Sequence, residues 1–277
     1  MEGLPLAYDA LTRRDYQLVM TAAKVLGLEP DRTKATSALV AALGRLTAEK
    51  RDTSRDPRVA ILERLTETGA AANAAVLQPY AGDPDPRVAH ATRVALARWS
   101  GAAAPPPLTG RPIPPRTGAP IRLAEVRALE GATLAITMAR GGTFTLRLLP
   151  DDAPATVRRV AALAAAGHYD GLTFHRVVAN FVIQGGSPGA NEFMGDAAYM
   201  RDEPGLAHRR GTVGISTRGR DTGDAQIFVN LVDNPRLDHQ YSVLAEVIEG
   251  MDVVDGVLEG DVMTRVTVVP RTPAPRP

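Results

Sequence analysis

Three short segments of this chain decide its fold and its chemistry: Phe174-His175-Arg176, Phe181-Val182-Ile183-Gln184-Gly185-Gly186 and, about forty residues later, Gln226-Ile227-Phe228. Together they supply one fixed cation, two side-chain amides and several apolar side chains. These segments contain no thiol, no phosphate-binding loop and no cluster of metal ligands. Such a site predicts a ligand whose apolar part is bound by the apolar side chains and whose polar part is hydrogen-bonded. It predicts no nucleophilic attack on that ligand.

The composition sets the outer limits of what the chain can be. With 277 residues, 44% of them hydrophobic, it can bury one sizeable core or two modest ones. A formal charge of +1 argues against a nucleic-acid partner, and the absence of cysteine excludes disulfides and thiolate catalysis. The sequence contains no run of eighteen apolar residues, so it predicts no membrane-spanning helix. The segment Met1-Glu2-Gly3-Leu4-Pro5 lacks the features of a signal peptide, so the compartment stays open: cytoplasmic as written, exported if an upstream signal is missing.

A proline-rich stretch divides the chain. It contains Pro105-Pro106-Pro107, and such a segment favours a stiff, extended backbone that cannot donate a ladder of hydrogen bonds. We therefore predict four parts, which are a helical-repeat segment (1–100), a linker (101–120), a second domain (121–270) and a flexible tail (271–277).

The segment before the linker has helical periodicity. Apolar residues recur at helical spacing in three stripes: Leu18, Val19, Ala22, Val25 and Leu26; Leu39, Ala42, Leu43 and Leu46; Val88, Ala91, Ala95, Leu96 and Trp99. The pentapeptide Asp56-Pro57-Arg58-Val59-Ala60 returns as Asp85-Pro86-Arg87-Val88-Ala89, and each Asp is predicted to cap a helix that begins with Pro. Helix pairs at this period resemble HEAT-like repeats, which implies a protein partner on the helical surface.

After the linker the period changes to that of strands. The segment Thr133–Leu149 alternates around Gly141-Gly142 and predicts a hairpin, while Ala153–Ala166 predicts a helix with Gly167 at its C-cap. Further predicted strands are Phe174–Gln184, Gly211–Ser216, Gln226–Asn230, Ser242–Glu246 and Val262–Val269, with a short helix within Glu249–Leu258. Many short strands with two helices predict an antiparallel barrel covered at its ends.

Between Leu123 and Val269 the chain resembles the cyclophilin-type peptidyl-prolyl isomerases, because Phe-His-Arg, Phe-x-x-Gln-Gly-Gly and Gln-x-Phe occur together at this spacing. The resemblance implies a multidomain protein, with an N-terminal all-α helical-repeat segment and a C-terminal cyclophilin-like antiparallel β-barrel capped by two helices. It also implies isomerisation of X–Pro bonds in unfolded or flexible proline-containing polypeptides, with no cofactor and no metal.

The resemblance also assigns roles to residues. The X–Pro barrier comes from amide conjugation, so a catalyst needs only an apolar pocket for the ring and a donor that favours the twisted amide. Arg176, whose guanidinium is always charged, and Gln184 match the catalytic positions. The matching substrate-binding positions are Phe181, Val182, Ser216, Thr217, Gln226, Phe228, Leu237 and Tyr241.

Three positions depart from the family pattern. Val182 replaces the commoner Met, Thr217 stands near a frequent Asn, and Arg236 stands where cyclosporin-sensitive members carry Trp. The last change predicts weak cyclosporin binding, since an indole donor and its apolar face are lost. These departures leave an alternative open, in which the barrel is a non-catalytic proline-binding module with a helical-repeat scaffold.

The remaining polar residues receive structural interpretations. His175 is predicted to point to the opposite face from Arg176 and to be structural. Solvated or turn positions are predicted for His168, His208 and His239, and a loop charge pair for Asp202-Glu203. The segment Gly185-Gly186-Ser187-Pro188-Gly189 has the pattern of a serine-hydrolase elbow, but Pro188 has no N–H for an oxyanion, so we reject that function.

Overall fold

The computed structural model describes residues 3–108, 120–196 and 198–271. The chain forms two compact units, Met1–Arg111 and Pro112–Pro277. Most of the predicted linker and tail, 109–119 and 272–277, lies outside the described residues, and the predicted boundaries stay a prediction.

The first unit is helical throughout its regular structure, as its periodicity predicts. Its helices are α1 (Gly3–Ala10), α2 (Tyr16–Val25), α3 (Arg32–Ala48), α4 (Arg55–Thr68), α5 (Ala74–Leu77) and α6 (Pro86–Ser100). The α3 stripe is buried as predicted, and Leu39, Leu43 and Leu46 pack with Ile61 and Leu65 of α4. Leu18 departs from its predicted stripe and is 49% exposed. The HEAT-like interpretation stays a prediction.

The two copies of the pentapeptide behave differently. Asp85 caps α6 as predicted, since its carboxylate accepts two backbone N–H groups of the first turn at 2.9 and 3.3 Å. Asp56 lies inside α4, which begins one residue earlier, so its predicted capping role is wrong. The reason is that a 3₁₀ turn at Asp52–Ser54 runs directly into α4.

The second unit is built on one antiparallel sheet. Its strands are β1 (Thr133–Met138), β2 (Thr143–Leu148), β3 (Arg176–Val178), β4 (Val182–Gly185), β5 (Thr212–Ile215), β6 (Ile227–Asn230), β7 (Val243–Glu249) and β8 (Met263–Val269). They follow the order β3-β4-β6-β5-β7-β2-β1-β8. The edges approach each other, because Thr173 and Val262 form an isolated antiparallel bridge and the Phe174 N–H donates to the Asp261 carbonyl at 2.9 Å. The sheet therefore curls into the expected barrel.

Local signals place several elements of this unit. Gly141 and Gly142 adopt φ +98° and +86° in the turn of the β1–β2 hairpin, as predicted. The predicted single strand Phe174–Gln184 is instead a hairpin of β3 and β4, turned at Asn180 with φ +55°. The helices are α7 (Leu123–Arg127), α8 (Pro154–Ala165), after which Gly167 has φ +72°, and α9 (Met251–Asp255).

The core of the second unit lies inside the curled sheet. Phe144 and Phe174 pack with their ring centroids 6.3 Å apart, among buried residues of β1, β5 and β6 and of α8. Across the described residues, no helix combines the length and the apolarity that crossing a bilayer would need.

Candidate active site

One side of the site is a connected set of polar side chains. Arg176 on β3 lies opposite Gln184 on β4 and donates from Nη1 to the Gln184 Oε1 at 3.1 Å. The Gln184 Nε2 in turn donates to the Ser216 Oγ at 3.0 Å and to the Gln226 Oε1 at 2.9 Å. Gln226 completes the set by donating to the Met194 carbonyl at 3.0 Å. We call Arg176, Gln184, Gln226 and Ser216 the polar wall.

The other side is apolar and separate from the barrel core. Val182, Phe228 and Leu237 are buried together, with Phe181 and Tyr241 packed against them. Register explains the arrangement, because Gln184 pairs with Phe228 across β4 and β6, and alternation sends Val182 to the same face as Gln184. These five apolar and aromatic residues form the apolar wall.

His208 supports the apolar wall from behind. Its ring stacks on Phe228 at 5.6 Å and 21°, while Tyr241 meets Phe228 edge-on at 5.7 Å. The His208 Nε2 lies 3.3 Å from the Tyr241 carbonyl, and Nδ1 lies 3.2 Å from the amide of Asn230. Burial lowers the pKa of His208. The predicted solvated position is therefore wrong, and no local pattern marks a histidine that packs on a ring twenty residues away in the sequence.

The two walls enclose a pocket of about 240 Å³. The predicted site residues that line it are Arg176, Phe181, Val182, Gln184, Ser216, Thr217, Phe228, Leu237 and Tyr241. Gln226 is only 1% exposed and lies behind Gln184. Glu192 also lines the pocket and was not predicted, because it comes from a segment without periodic structure.

The other histidines lie where the sequence suggests. His175 is fully buried, and burial lowers its pKa to about 4. It is therefore neutral at physiological pH, while its neighbour Arg176 carries the charge that lines the pocket. His168 lies in the turn after α8, and His239 is exposed in a turn with φ +60°.

Glu203 holds a helix rather than forming a loop charge pair. Its carboxylate accepts the N–H groups of Ala155 and Thr156 at 3.0 and 2.9 Å and the Thr156 hydroxyl at 2.8 Å, which caps the start of α8. The Asp202 carboxylate accepts the Asp221 N–H at 2.8 Å, and the Asp202 N–H donates to the Asp221 carboxylate at 2.9 Å. The pair interpretation is therefore wrong, because both carboxylates have partners far away in the sequence.

The rejected hydrolase motif has no catalytic geometry either. The Ser187 hydroxyl is buried and donates to the Met194 carbonyl at 2.7 Å. Within the ranges that the structure describes, no group of three or more His, Asp or Glu residues is placed to hold a metal ion.

Comparisons with known proteins match the second unit. The family model described as cyclophilin type peptidyl-prolyl cis-trans isomerase/CLD matches residues 133–273. A peptidyl-prolyl cis-trans isomerase of Helicobacter pylori is 36% identical over 154 residues, which cover 53% of this chain and 94% of the relative. Peptidyl-prolyl cis-trans isomerase B of Bacillus subtilis is 35% identical over 131 residues, which cover 46% of this chain and 92% of the relative.

A crystal structure of a cyclophilin type peptidyl-prolyl cis-trans isomerase from Cryptosporidium parvum is also similar, with a TM-score of 0.47 and 22% identity over 51% of this chain and 98% of that one. The family model covers just over half of the chain, and the chain spans almost the whole length of the two bacterial relatives. With the sheet order, the polar wall and the pocket described above, the chain belongs to the cyclophilin-type peptidyl-prolyl cis-trans isomerase family.

Proposed function

We propose that this peptidyl-prolyl isomerase binds the proline of its substrate in the 240 Å³ pocket and stabilises the twisted amide with Arg176. The observation that carries the proposal is the chain of hydrogen bonds from Arg176 through Gln184 to Gln226. This chain lies beside an apolar wall whose side chains can pack against the pyrrolidine ring of proline. The substrates are proline-containing segments of unfolded or flexible polypeptides.

The proposed mechanism needs no covalent step. The uncatalysed barrier to rotation is about 20 kcal/mol, because the nitrogen lone pair is conjugated with the carbonyl. The apolar wall holds the pyrrolidine ring, while Gln184 holds one N–H of the guanidinium and leaves its other donors for the substrate. A donor that binds the twisted amide more strongly than the planar one lowers the barrier.

Exchange between cis and trans Ala-Pro peptide signals, measured by NMR with catalytic amounts of protein, tests this proposal. The unaltered protein should accelerate exchange, and Arg176→Ala should lower kcat/KM by about a hundredfold, as loss of one preorganised donor does elsewhere. Arg147→Ala, which removes an exposed arginine of β2, is the matched control.

The non-catalytic alternative has a distinct outcome in the same experiment. If the second unit is only a proline-binding module, the unaltered protein and Arg176→Ala will both shift the peptide signals, and neither will accelerate exchange. Full activity in a folded Arg176→Ala variant would contradict the role proposed for this arginine.

We propose further that residues 121–270 act as the isomerase domain and that the helical segment 1–100 holds unfolded client chains. Exposed leucines support the second part, since Leu6 and Leu28 are 71% and 79% exposed. In the full chain, Leu6→Ser with Leu28→Ser should slow catalysed refolding of a proline-limited protein without changing peptide turnover. Ile248→Ser with Leu258→Ser, which makes the same kind of change at exposed apolar residues of the second unit, is the control, and equal refolding rates for both variants would contradict the proposal.

A further inference from the structure

A second, larger concavity adjoins the proline pocket. It has a volume of about 770 Å³ and shares Phe181, Thr217, Leu237 and Tyr241 with the pocket, so the two concavities are continuous. Three arginines line this concavity: Arg201, Arg220 and Arg236. We call the concavity lined by these arginines the basic groove.

The arginines of the basic groove are available to a ligand. All three are exposed. In the part of the chain that the structure describes, the side chains of Arg201 and Arg220 make no ion pair and no hydrogen bond. Arg236 lies with its guanidinium carbon 4.1 Å from the centroid of the Phe181 ring, which places a cation at the border between groove and pocket.

Two aspartates of the groove are used to build it. The Asp202 N–H donates to the Asp221 carboxylate at 2.9 Å, and the Asp221 N–H donates to the Asp202 carboxylate at 2.8 Å. These reciprocal bonds hold Asp221 at φ +61° and join two loops across the groove. The three guanidinium groups outnumber the two carboxylates, so the groove lining carries a net positive charge, whereas in the adjoining pocket the charge of Arg176 is balanced by that of Glu192.

We propose that the basic groove selects substrates with aspartate or glutamate side chains within a few residues of the proline. This inference rests on the proposed function, because it assigns the groove to the same bound peptide. A concave surface lined by one sign of charge concentrates the opposite charge at its mouth. Exposed pairs contribute modestly, so two or three of them predict a gain in kcat/KM of about three- to tenfold.

Three capped peptides with one Ala-Pro core test the groove. One is neutral, one carries two glutamates after the proline and one carries two glutamates before it. NMR exchange gives kcat/KM for each peptide with the full chain, with Arg201→Gln/Arg220→Gln and with Arg127→Gln/Arg265→Gln. The last variant makes the same change in net charge at exposed arginines that do not line the groove.

We expect at least one acidic peptide to exceed the neutral one by the predicted factor. The ratio should fall towards one in Arg201→Gln/Arg220→Gln and at high salt, and should persist in the control variant. Equal rates for all three peptides would overturn the inference and leave the isomerase intact, and so would a ratio that survives in Arg201→Gln/Arg220→Gln.

If no peptide is accelerated, the proposed function fails, and the groove is then judged by chemical-shift titration. Tighter binding of an acidic peptide would support the groove under those conditions. Equal affinities would overturn it.

Discussion

Two arginines, Arg58 of the helical unit and Arg176 of the sheet unit, are held in opposite ways. In the helical unit Arg58 is 8% exposed and pairs with Asp83 at 2.8 Å, so its charge is neutralised. In the sheet unit Arg176 is held by the neutral amide of Gln184, and among the described residues it forms no ion pair. Removing one partner of a buried pair leaves an uncompensated charge and destabilises the fold, whereas a charge held by a neutral amide keeps its field for a substrate.

The paired charge of the helical unit should matter most for stability. Asp83→Ala leaves Arg58 buried without its carboxylate, and we expect a loss of about 4 kcal/mol in the free energy of unfolding. Urea unfolding followed by fluorescence of Trp99, the only tryptophan, measures it.

The control is Asp9→Ala, which breaks the exposed pair with Arg13 and should cost less than about 1 kcal/mol. Equal losses in Asp83→Ala and Asp9→Ala would contradict the contrast between paired arginines inside and outside the core.

His175 shows a third way to bury a titratable group, which is to keep it neutral. Its pKa is about 4 in the folded protein and near 6.5 in the unfolded chain. Between these values the unfolded chain binds more protons, so the stabilisation is complete above pH 6.5 and is lost as the pH falls towards 4. The total is about 3 kcal/mol.

Urea unfolding followed by the NMR signals of Val213 and Val229, both buried in the sheet, checks this dependence between pH 7 and pH 4.5. His175→Gln should flatten the curve relative to the unaltered protein. Parallel curves for the two proteins would show that another group carries the dependence.

Giving Arg176 a carboxylate partner, as Arg58 has, should weaken its proposed role in catalysis. Gln184→Glu places a carboxylate at the present 3.1 Å hydrogen bond, and the resulting ion pair competes with the substrate. We expect kcat/KM to fall about thirtyfold, equivalent to about 2 kcal/mol. NMR exchange on the Ala-Pro peptide measures the loss.

The exposed Gln78→Glu makes the same chemical change in the helical unit and serves as the control. Undiminished turnover in Gln184→Glu would show that Arg176 can be paired with a carboxylate without loss of activity. The contrast drawn between Arg58 and Arg176 would then be wrong.

The smallest expected effect separates the two identical pentapeptides. Asp85→Ala removes a helix cap and a 2.8 Å pair with Arg55, and should cost about 1 to 2 kcal/mol. Asp56→Ala removes an exposed first-turn charge and should cost about 0.5 kcal/mol. Urea unfolding followed by Trp99 fluorescence compares the free energies of unfolding of the two variants. Equal losses would mean that the pentapeptide sequence, and not the capping geometry, sets the contribution of the aspartate to stability.

Local signals made much of the fold predictable. The Gly141-Gly142 turn needs positive φ, which glycine adopts without strain, so the hairpin followed from the sequence. Asp85 caps the helix that follows it, because a cap depends on only three or four residues. The β3–β4 turn at Asn180 carries a weaker signal, and the sequence pattern therefore predicts one strand where the structure has two.

The candidate site was predictable through motif spacing rather than through geometry. The motif residues line one pocket, apart from Gln226, which lies behind Gln184. His208, Glu192, Arg201 and Arg220 carry no periodic or motif signal, and their place depends on how loops meet.

By itself, the sequence determined most of the helical and strand segments, the family and the motif residues of the pocket, because these depend on short-range periodicity and on a fixed set of side chains. Only the tertiary structure decided that His208 backs Phe228, that Glu203 caps α8 and that Arg201 and Arg220 share one groove. Each of these contacts joins residues separated by many positions, and it forms only after the sheet has curled and brought the loops together.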